Sequence, residues 1–277
     1  MRLARLAGLM AAGALALSVA APVGAADGNA MIRVLHGSPD APAVDVFAND
    51  AKVDALSNLS FGSITDYAAV PAGTYSIKVC ATADNTVCPI GPVDLTFAAG
   101  KKYTIAASDL LASIKANVFT DNAAPTEAKS QVRVVHLSAD TPAVDVLTQD
   151  KSAAVVSNLA YPKATGYLTL DPGSYDLIVC ANADHSVCPL DPGALNLEAG
   201  TAYSVFAVGA LQPADGQQAR TAVVAVDGNA PPATDTVGAA DASSGVSPLA
   251  LIALAAAGIA GLLAAARRFA PAAIRTR

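Results

Sequence analysis

Between residues 27 and 227 the apolar positions fall in short runs, mostly β-branched, and Pro, Gly, Asn or Asp separates one run from the next. Ile32–Leu35, Val44–Phe47, Tyr75–Cys80, Val93–Phe97 and Tyr103–Ala107 are of this kind, and each has a counterpart 100 residues further on. Runs of four to six residues bounded by turn formers predict strands. In Ala43-Val44-Asp45-Val46 and Ser76-Ile77-Lys78-Val79 the alternation predicts strands with one face in water. Pro71-Ala72-Gly73 and Asp171-Pro172-Gly173 read as turns. No helical period of useful length interrupts the pattern.

The recurrence is ungapped. Of the 80 positions from Met31 to Leu110, 32 are identical 100 residues later, including Arg33, His36, Ser38, Asp40, Pro42, Asp45, Ser57-Asn58-Leu59, Tyr67, Tyr75, Cys80, Cys88 and Tyr103. Solenoid repeats are about 20–50 residues long, so this period means tandem domains. Repeat 1 spans 27–121, a polar linker 122–130, and repeat 2 spans 131–227. Seven to nine short runs per repeat lead to an all-β expectation of two immunoglobulin-like β-sandwiches in tandem.

The two ends have another character. Arg2 and Arg5, an apolar run from Leu6 to about Ala21 and small residues to Ala26 make up the layout of a secretory signal at 1–26. Residues 228–247 are rich in Pro, Ala, Gly and acids and read as a flexible stalk. Residues 248–266 hold no charge, and 19 helical residues just cross a hydrocarbon core of about 30 Å. The tail 267–277 carries four arginines and no acid, which predicts a cytoplasmic C-terminus. The expected product is a single-pass membrane protein with its body outside the cell. The order of stalk, span and basic tail also fits a cell-wall sorting signal, but the Leu-Pro-x-Thr-Gly string that a sortase needs is absent, so a plain membrane anchor is preferred.

Composition then takes on a different meaning. The mean hydropathy of +0.43 comes largely from the two end segments and from alanine. Residues 27–247 hold all 23 acids against 11 basic residues, a strongly acidic body that argues against a nucleic-acid partner.

The opening of each repeat, Arg33-Val34-Leu35-His36-Gly37-Ser38-Pro39-Asp40-Ala41-Pro42-Ala43-Val44-Asp45-Val46, resembles the start of the bacterial and archaeal domain of unknown function DUF4397. Pro71–Tyr75 and Ala99–Tyr103 fit the same family, and the resemblance covers about 31–120 and 131–227. Repeat 2 departs at Leu137 and Ala139, where repeat 1 has Gly37 and Pro39. The resemblance implies an exported, surface-associated β-sandwich and brings no catalytic residue.

Two sets of residues are candidates for chemistry. Cys80-x7-Cys88 and Cys180-x7-Cys188 occupy matching places, and symmetry among the three possible pairings selects Cys80–Cys88 and Cys180–Cys188. Zinc sites and thiol redox pairs use shorter spacings, so structural disulfides of an exported protein are expected. The duplicated set His36, Asp40, Asp45 and His136, Asp140, Asp145 supports two readings. In the structural one, His36 ends a strand, Ser38 and Asp40 bond the backbone of the Ala-Pro turn, and Asp45 pairs across strands with an arginine such as Arg33 or Arg133. In the other, the set forms a metal or ligand site. Asp84 and Asp184 read as turn formers, and Tyr67, Tyr75 and Tyr103 as core aromatics whose hydroxyls reach the backbone. The functional expectation is a non-enzymatic surface protein with no cofactor, presenting two modules for structural, adhesive or ligand-binding work toward an extracellular ligand or protein partner. The alternative is a metal-binding sensor or metal-dependent activity at the His/Asp set.

Overall fold

A computed structural model describes residues 28–230. The signal, most of the stalk, the apolar span and the basic tail lie outside the described residues. Among the described residues no helix is long and apolar enough to cross a membrane.

The chain is all-β with several sheets. Repeat 1 contributes β1 (Asn29–His36), β2 (Val44–Ala48), β3 (Ala51–Lys52), β4 (Ala68–Pro71), β5 (Gly73–Ala81), β6 (Ile90–Phe97), β7 (Lys102–Ser108) and β8 (Lys115–Thr120). Repeat 2 contributes β9 (Ser130–His136), β10 (Val144–Thr148), β11 (Ala154–Leu159), β12 (Lys163–Ala164), β13 (Leu168–Leu170), β14 (Gly173–Ala181), β15 (Ala194–Leu197), β16 (Thr201–Val208) and β17 (Thr221–Asn229). β17 continues through Gly228 and Asn229, which the sequence had placed in the stalk.

Each repeat is built from two sheets, in strand order β4-β1-β7-β8 and β3-β2-β5-β6 in repeat 1, and β12-β9-β16-β17 and β11-β10-β14-β15 in repeat 2. β1 and β7 run parallel, as do β9 and β16. Pro71 and Pro92 sit on the edge strands β4 and β6, where a missing N–H is tolerated. In repeat 1 the facing sheets enclose Ile32, Val34, Val44, Val46, Ile77, Val79, Phe97 and Ile105. Full burial of such side chains contributes about 1.5–3 kcal/mol each. Repeat 2 encloses the matching Val144, Val146 and Val179, with Val132, Leu197 and Tyr203 beside them.

A further core belongs to both repeats. Leu35 and Ala106 from the outer face of the β1–β7 pair meet Val135, Leu137, Phe206 and Val208 from repeat 2. β1 is therefore buried on both faces: Ile32 and Val34 point into the sandwich, Arg33 and Leu35 into the second repeat. This explains why Arg33-Val34-Leu35-His36 does not alternate cleanly between apolar and polar residues.

Candidate functional site

The duplicated side chains have separate local tasks. Cys80–Cys88 and Cys180–Cys188 are disulfide-bonded. Each closes a loop that follows a long central strand, and within it the Asp84 carboxylate accepts from Thr86 N at 3.0 Å, as Asp184 does from Ser186 N at 2.8 Å.

Asp45 lies beneath that loop on the outer face of β2. The strand's expected wet face is dry at this point, and Asp45 is fully buried. Its oxygens accept from Lys52 Nζ at 2.6 Å, Asn58 N at 2.8 Å and Thr82 Oγ1 at 2.9 Å. The expected pairing with Arg33 does not form, because Asp45 and Arg33 point from different sheets. Hydrogen bonds and the Lys52 charge outweigh the opposing effect of burial and hold the Asp45 carboxyl below its usual range.

Asp145 repeats the role with different partners: Asn158 N at 2.7 Å, Asn182 Nδ2 at 2.9 Å and His185 Nε2 at 2.6 Å. Ser152 stands where repeat 1 has Lys52, and His185 of the disulfide loop supplies the contact instead. Asn58 and Asn158 have φ of 53° and 54°, a left-handed conformation that Asn tolerates. It aims each backbone N–H at the buried carboxylate, which gives the repeated Ser-Asn-Leu a physical meaning.

His36 ends β1, fully buried, with Nε2 at 3.0 Å from Pro42 O and Nδ1 without a partner. His136 bonds Pro142 O at 3.2 Å, and its Nδ1 accepts from Ser138 N at 3.3 Å. Burial holds both imidazoles below their ordinary pKa, so they are neutral. Within its own turn Asp40 accepts only from the Ser38 hydroxyl, at 3.4 Å, and not from backbone. It also accepts from Leu111 N at 2.7 Å, and Asp140 likewise from Ser138 Oγ at 3.3 Å and Leu211 N at 2.9 Å. Each therefore ties the turn after the first strand to the turn after the parallel strand. Among the described residues no group of three or more His, Cys, Asp or Glu is placed to hold a metal ion. The His/Asp set is adjacent in sequence and divided in space.

The most concentrated electrostatics lies between the repeats. Arg33 and Arg133 are 2% and 3% exposed, and each is paired to a carboxylate of the other repeat. The Arg33 Nη2 donates to Asp227, its Nη1 to Val226 O at 3.0 Å and its Nε to Thr104 Oγ1 at 2.8 Å. The Arg133 Nη2 donates to Asp121, its Nη1 to Thr120 O at 3.1 Å and its Nε to Ser204 Oγ at 2.6 Å. The carboxylates are held from their own side: Asp121 accepts from Tyr67 and Thr104 hydroxyls, Asp227 from Tyr167 and Ser204. Second contacts of 3.9 Å, Arg33 to Asp121 and Arg133 to Asp227, join the two pairs into one neutral cluster. The guanidiniums also lie over the Tyr67 and Tyr167 rings at 4.5 and 5.1 Å. Burial and the adjacent Asp121 push the Tyr67 hydroxyl pKa far up. Tyr75 and Tyr103 do bond backbone, at Pro71 O and Ala98 N, whereas Tyr67 binds a carboxylate.

Sequence reasoning missed this cluster. Arg33 and Arg133 recur in the 100-residue register, but Asp121 and Asp227 do not. The turn between β16 and β17 is six residues longer than that between β7 and β8, so Asp227 stands 106 residues after Asp121. Allowing for that one insertion would have shown the pair.

Two solved structures with likeness to this chain are distant. The C-terminal domain of AlgF from P. aeruginosa is 21% identical over 35% of this chain and 99% of that domain, with a TM-score of 0.27. A candidate cell adhesion protein from Bacteroides ovatus ATCC 8483 is 11% identical over 72% of this chain and 96% of that one, with a TM-score of 0.21. No curated protein matches the chain significantly. The family model of the domain of unknown function DUF4397 matches twice, at residues 30–147 and 130–239. With most of its length under those two matches, the chain belongs to the DUF4397 family.

Proposed function

We propose that the chain is an exported surface protein, held at the membrane by its C-terminal segment, whose two immunoglobulin-like modules act outside the cell as one body. Its work is structural, adhesive or ligand-binding, without catalysis. One observation carries the reading: the repeats share a buried, charge-matched interface in which each arginine is completed by the other repeat's aspartate. Such a seam makes a stiff unit rather than two modules on a string. Export is supported by a disulfide in each repeat, the pattern of an oxidising compartment. The immunoglobulin-like assignment rests on two facing sheets per repeat with a parallel pairing of the first and seventh strands.

The metal-dependent alternative has no observation in its favour, because Asp40, Asp45, Asp140 and Asp145 spend their oxygens on backbone and side-chain donors. Protease treatment of intact cells is the test. Release of one fragment close to residues 28–230 is expected; a body that becomes accessible only after lysis refutes the reading.

A further inference from the structure

The strand registers determine which loops share an end of the body. β1 and β7 run parallel from Met31 opposite Lys102 to His36 opposite Ala107, and β9 and β16 do the same from Gln131 opposite Ala202 to His136 opposite Ala207. β17 returns against β16, with Asn229 opposite Thr201. The described chain therefore starts and finishes at one end. Lys102 marks the place: it pairs with Met31, and its Nζ donates to Asp227 O at 2.8 Å.

At the other end Val44 faces Ala81 and Val144 faces Ala181, so both disulfide-closed loops begin there. The two repeats meet at that same end, where Gln218 N donates to Pro39 O at 2.8 Å. A Cβ built on Gly37 would lie 3.0 Å from Val208 Cγ1, which leaves no room for the seam to slip there. With strands of about eight residues, the two ends are roughly 25 Å apart.

Each disulfide loop exposes one large apolar side chain at the same place, Val87 at 54% and Val187 at 51%. Neither valine is loosely held. Val87 O accepts from Ala81 N and Val187 O from Ala181 N, both at 2.8 Å, and the next residue in each case is the bridged cysteine. Leu111 adds a further exposed apolar side chain from the turn after β7. The exposed Asp84, Asp140, Asp184 and Asp215 lie on this end, together with Lys115, Lys163 and the half-buried Arg220, and Lys151 Nζ donates to His185 O in the second loop at 2.8 Å. The described residues as a whole hold 20 acids and 11 bases.

We propose that this end, opposite the point where the stalk attaches, is the protein's contact surface, and that Val87 and Val187 are paired, pre-ordered apolar contacts for a protein partner presenting basic residues around apolar ones. The inference deepens the surface-protein reading and rests on it for which end is free. Rigid loops lose little conformational freedom on binding, and two copies on one stiff body reward a partner that engages both. The acid excess of the body as a whole favours a basic partner and repels anionic ones.

The test selects a random peptide display library on the full chain held in lipid nanodiscs, with empty nanodiscs as the counter-selection. Enriched peptides are expected to combine Lys or Arg with large apolar residues. Val87→Ser and Val187→Ser are each expected to weaken them about tenfold, and the pair of substitutions about a hundredfold. Val118→Ser and Val226→Ser, at exposed valines on strands away from these loops, are expected to leave binding unchanged. All four positions are exposed, and an unchanged circular dichroism spectrum verifies the fold of each variant. No enrichment, peptides without basic residues, or peptides that bind the double variant undiminished would each overturn the proposal. Failure of the chain to enter nanodiscs counts against the membrane reading alone, and the same selection on the soluble chain then decides the contact surface.

Discussion

Asp121→Ala is the sharpest perturbation of the seam. It leaves the Arg133 guanidinium, 3% exposed, without its carboxylate, and it removes the acceptor of the Tyr67 and Thr104 hydroxyls. Removing one partner of a buried ion pair costs about 3–5 kcal/mol. Each orphaned hydroxyl costs about 1–3 kcal/mol taken alone, but the three effects share one site and do not add. The expected loss is therefore about 3–5 kcal/mol, a large part of a typical stability of roughly 5–15 kcal/mol. Asp227→Ala is expected to lose the same amount within about 1 kcal/mol, since its environment is the near-symmetric copy. The double variant Asp121→Asn, Arg133→Met retains an acceptor for the two hydroxyls and leaves no unpaired charge, since Arg33 and Asp227 still pair, so it is expected within about 2 kcal/mol of the parent. Lys78→Ala, at the exposed pair with Asp50, is the control and is expected to cost under about 1 kcal/mol. Urea unfolding followed by circular dichroism and by tyrosine fluorescence measures all four; the chain has no Trp to mask Tyr67 and Tyr167. An Asp121→Ala loss below about 1 kcal/mol, or a double variant as unstable as the single one, would refute the account of the seam.

Three other outcomes are expected. Replacing Cys80 and Cys88 together by Ser is expected to cost about 2–3 kcal/mol, from restored loop entropy of the unfolded chain, and the Cys180/Cys188 pair the same, read as urea midpoints at constant slope. His36 and His136 are neutral in the fold with pKa values below the ordinary value of about 6.5, so the unfolded chain takes up protons first as the pH falls. Stability is thus complete above about pH 6.5 and declines below it, by at most about 1.4 kcal/mol per pH unit for each histidine; His36→Gln with His136→Gln should flatten that limb in pH-dependent melting, and an unchanged profile would count against it. Gly91 has φ +90°, and a Cβ there would lie 2.2 Å from Ile77 O, so Gly91→Ala should lower the melting temperature far more than Gly62→Ala, where φ is +78° and nothing lies within 4 Å.

The strands were legible because apolar and polar residue types alternate: Val44 and Val46 turn inward in a segment bounded by Pro42 and Asn49. The disulfides were legible because each repeat carries its own pair. Asp45 was not, because a carboxylate between two valines looks like a wet face, and only the fold brings Lys52, Asn58 and Thr82 over it. His185 was hidden for a related reason: it takes over a task that Lys52 performs from another strand, so position-by-position comparison finds no counterpart. The seam was hardest to see. Arg33 belongs to a strand buried on both faces, its partner is 194 residues away, and a six-residue insertion breaks the register that would have matched the two aspartates.

The charges at the seam explain more about direction than about strength. Leu35, Leu137, Phe206 and Val208 already supply apolar burial there, and four well-packed apolar side chains in place of the charges would hold the repeats about as firmly. Apolar surfaces, however, tolerate sliding. Shifting one repeat by a single residue along the strands moves the partners by about 3.3 Å. Arg33 would then leave Asp227, Arg133 would leave Asp121, and four charges would be buried unpaired at a cost of several kcal/mol each. Only a near-twofold arrangement with the strands of both repeats running the same way satisfies both pairs at once. That arrangement also sends Cys80–Cys88 and Cys180–Cys188 to the same end of the body and brings Asn29 and Asn229 together at the other. The buried pairs thus determine which surface the two repeats present in common, although none of the four charges reaches that surface.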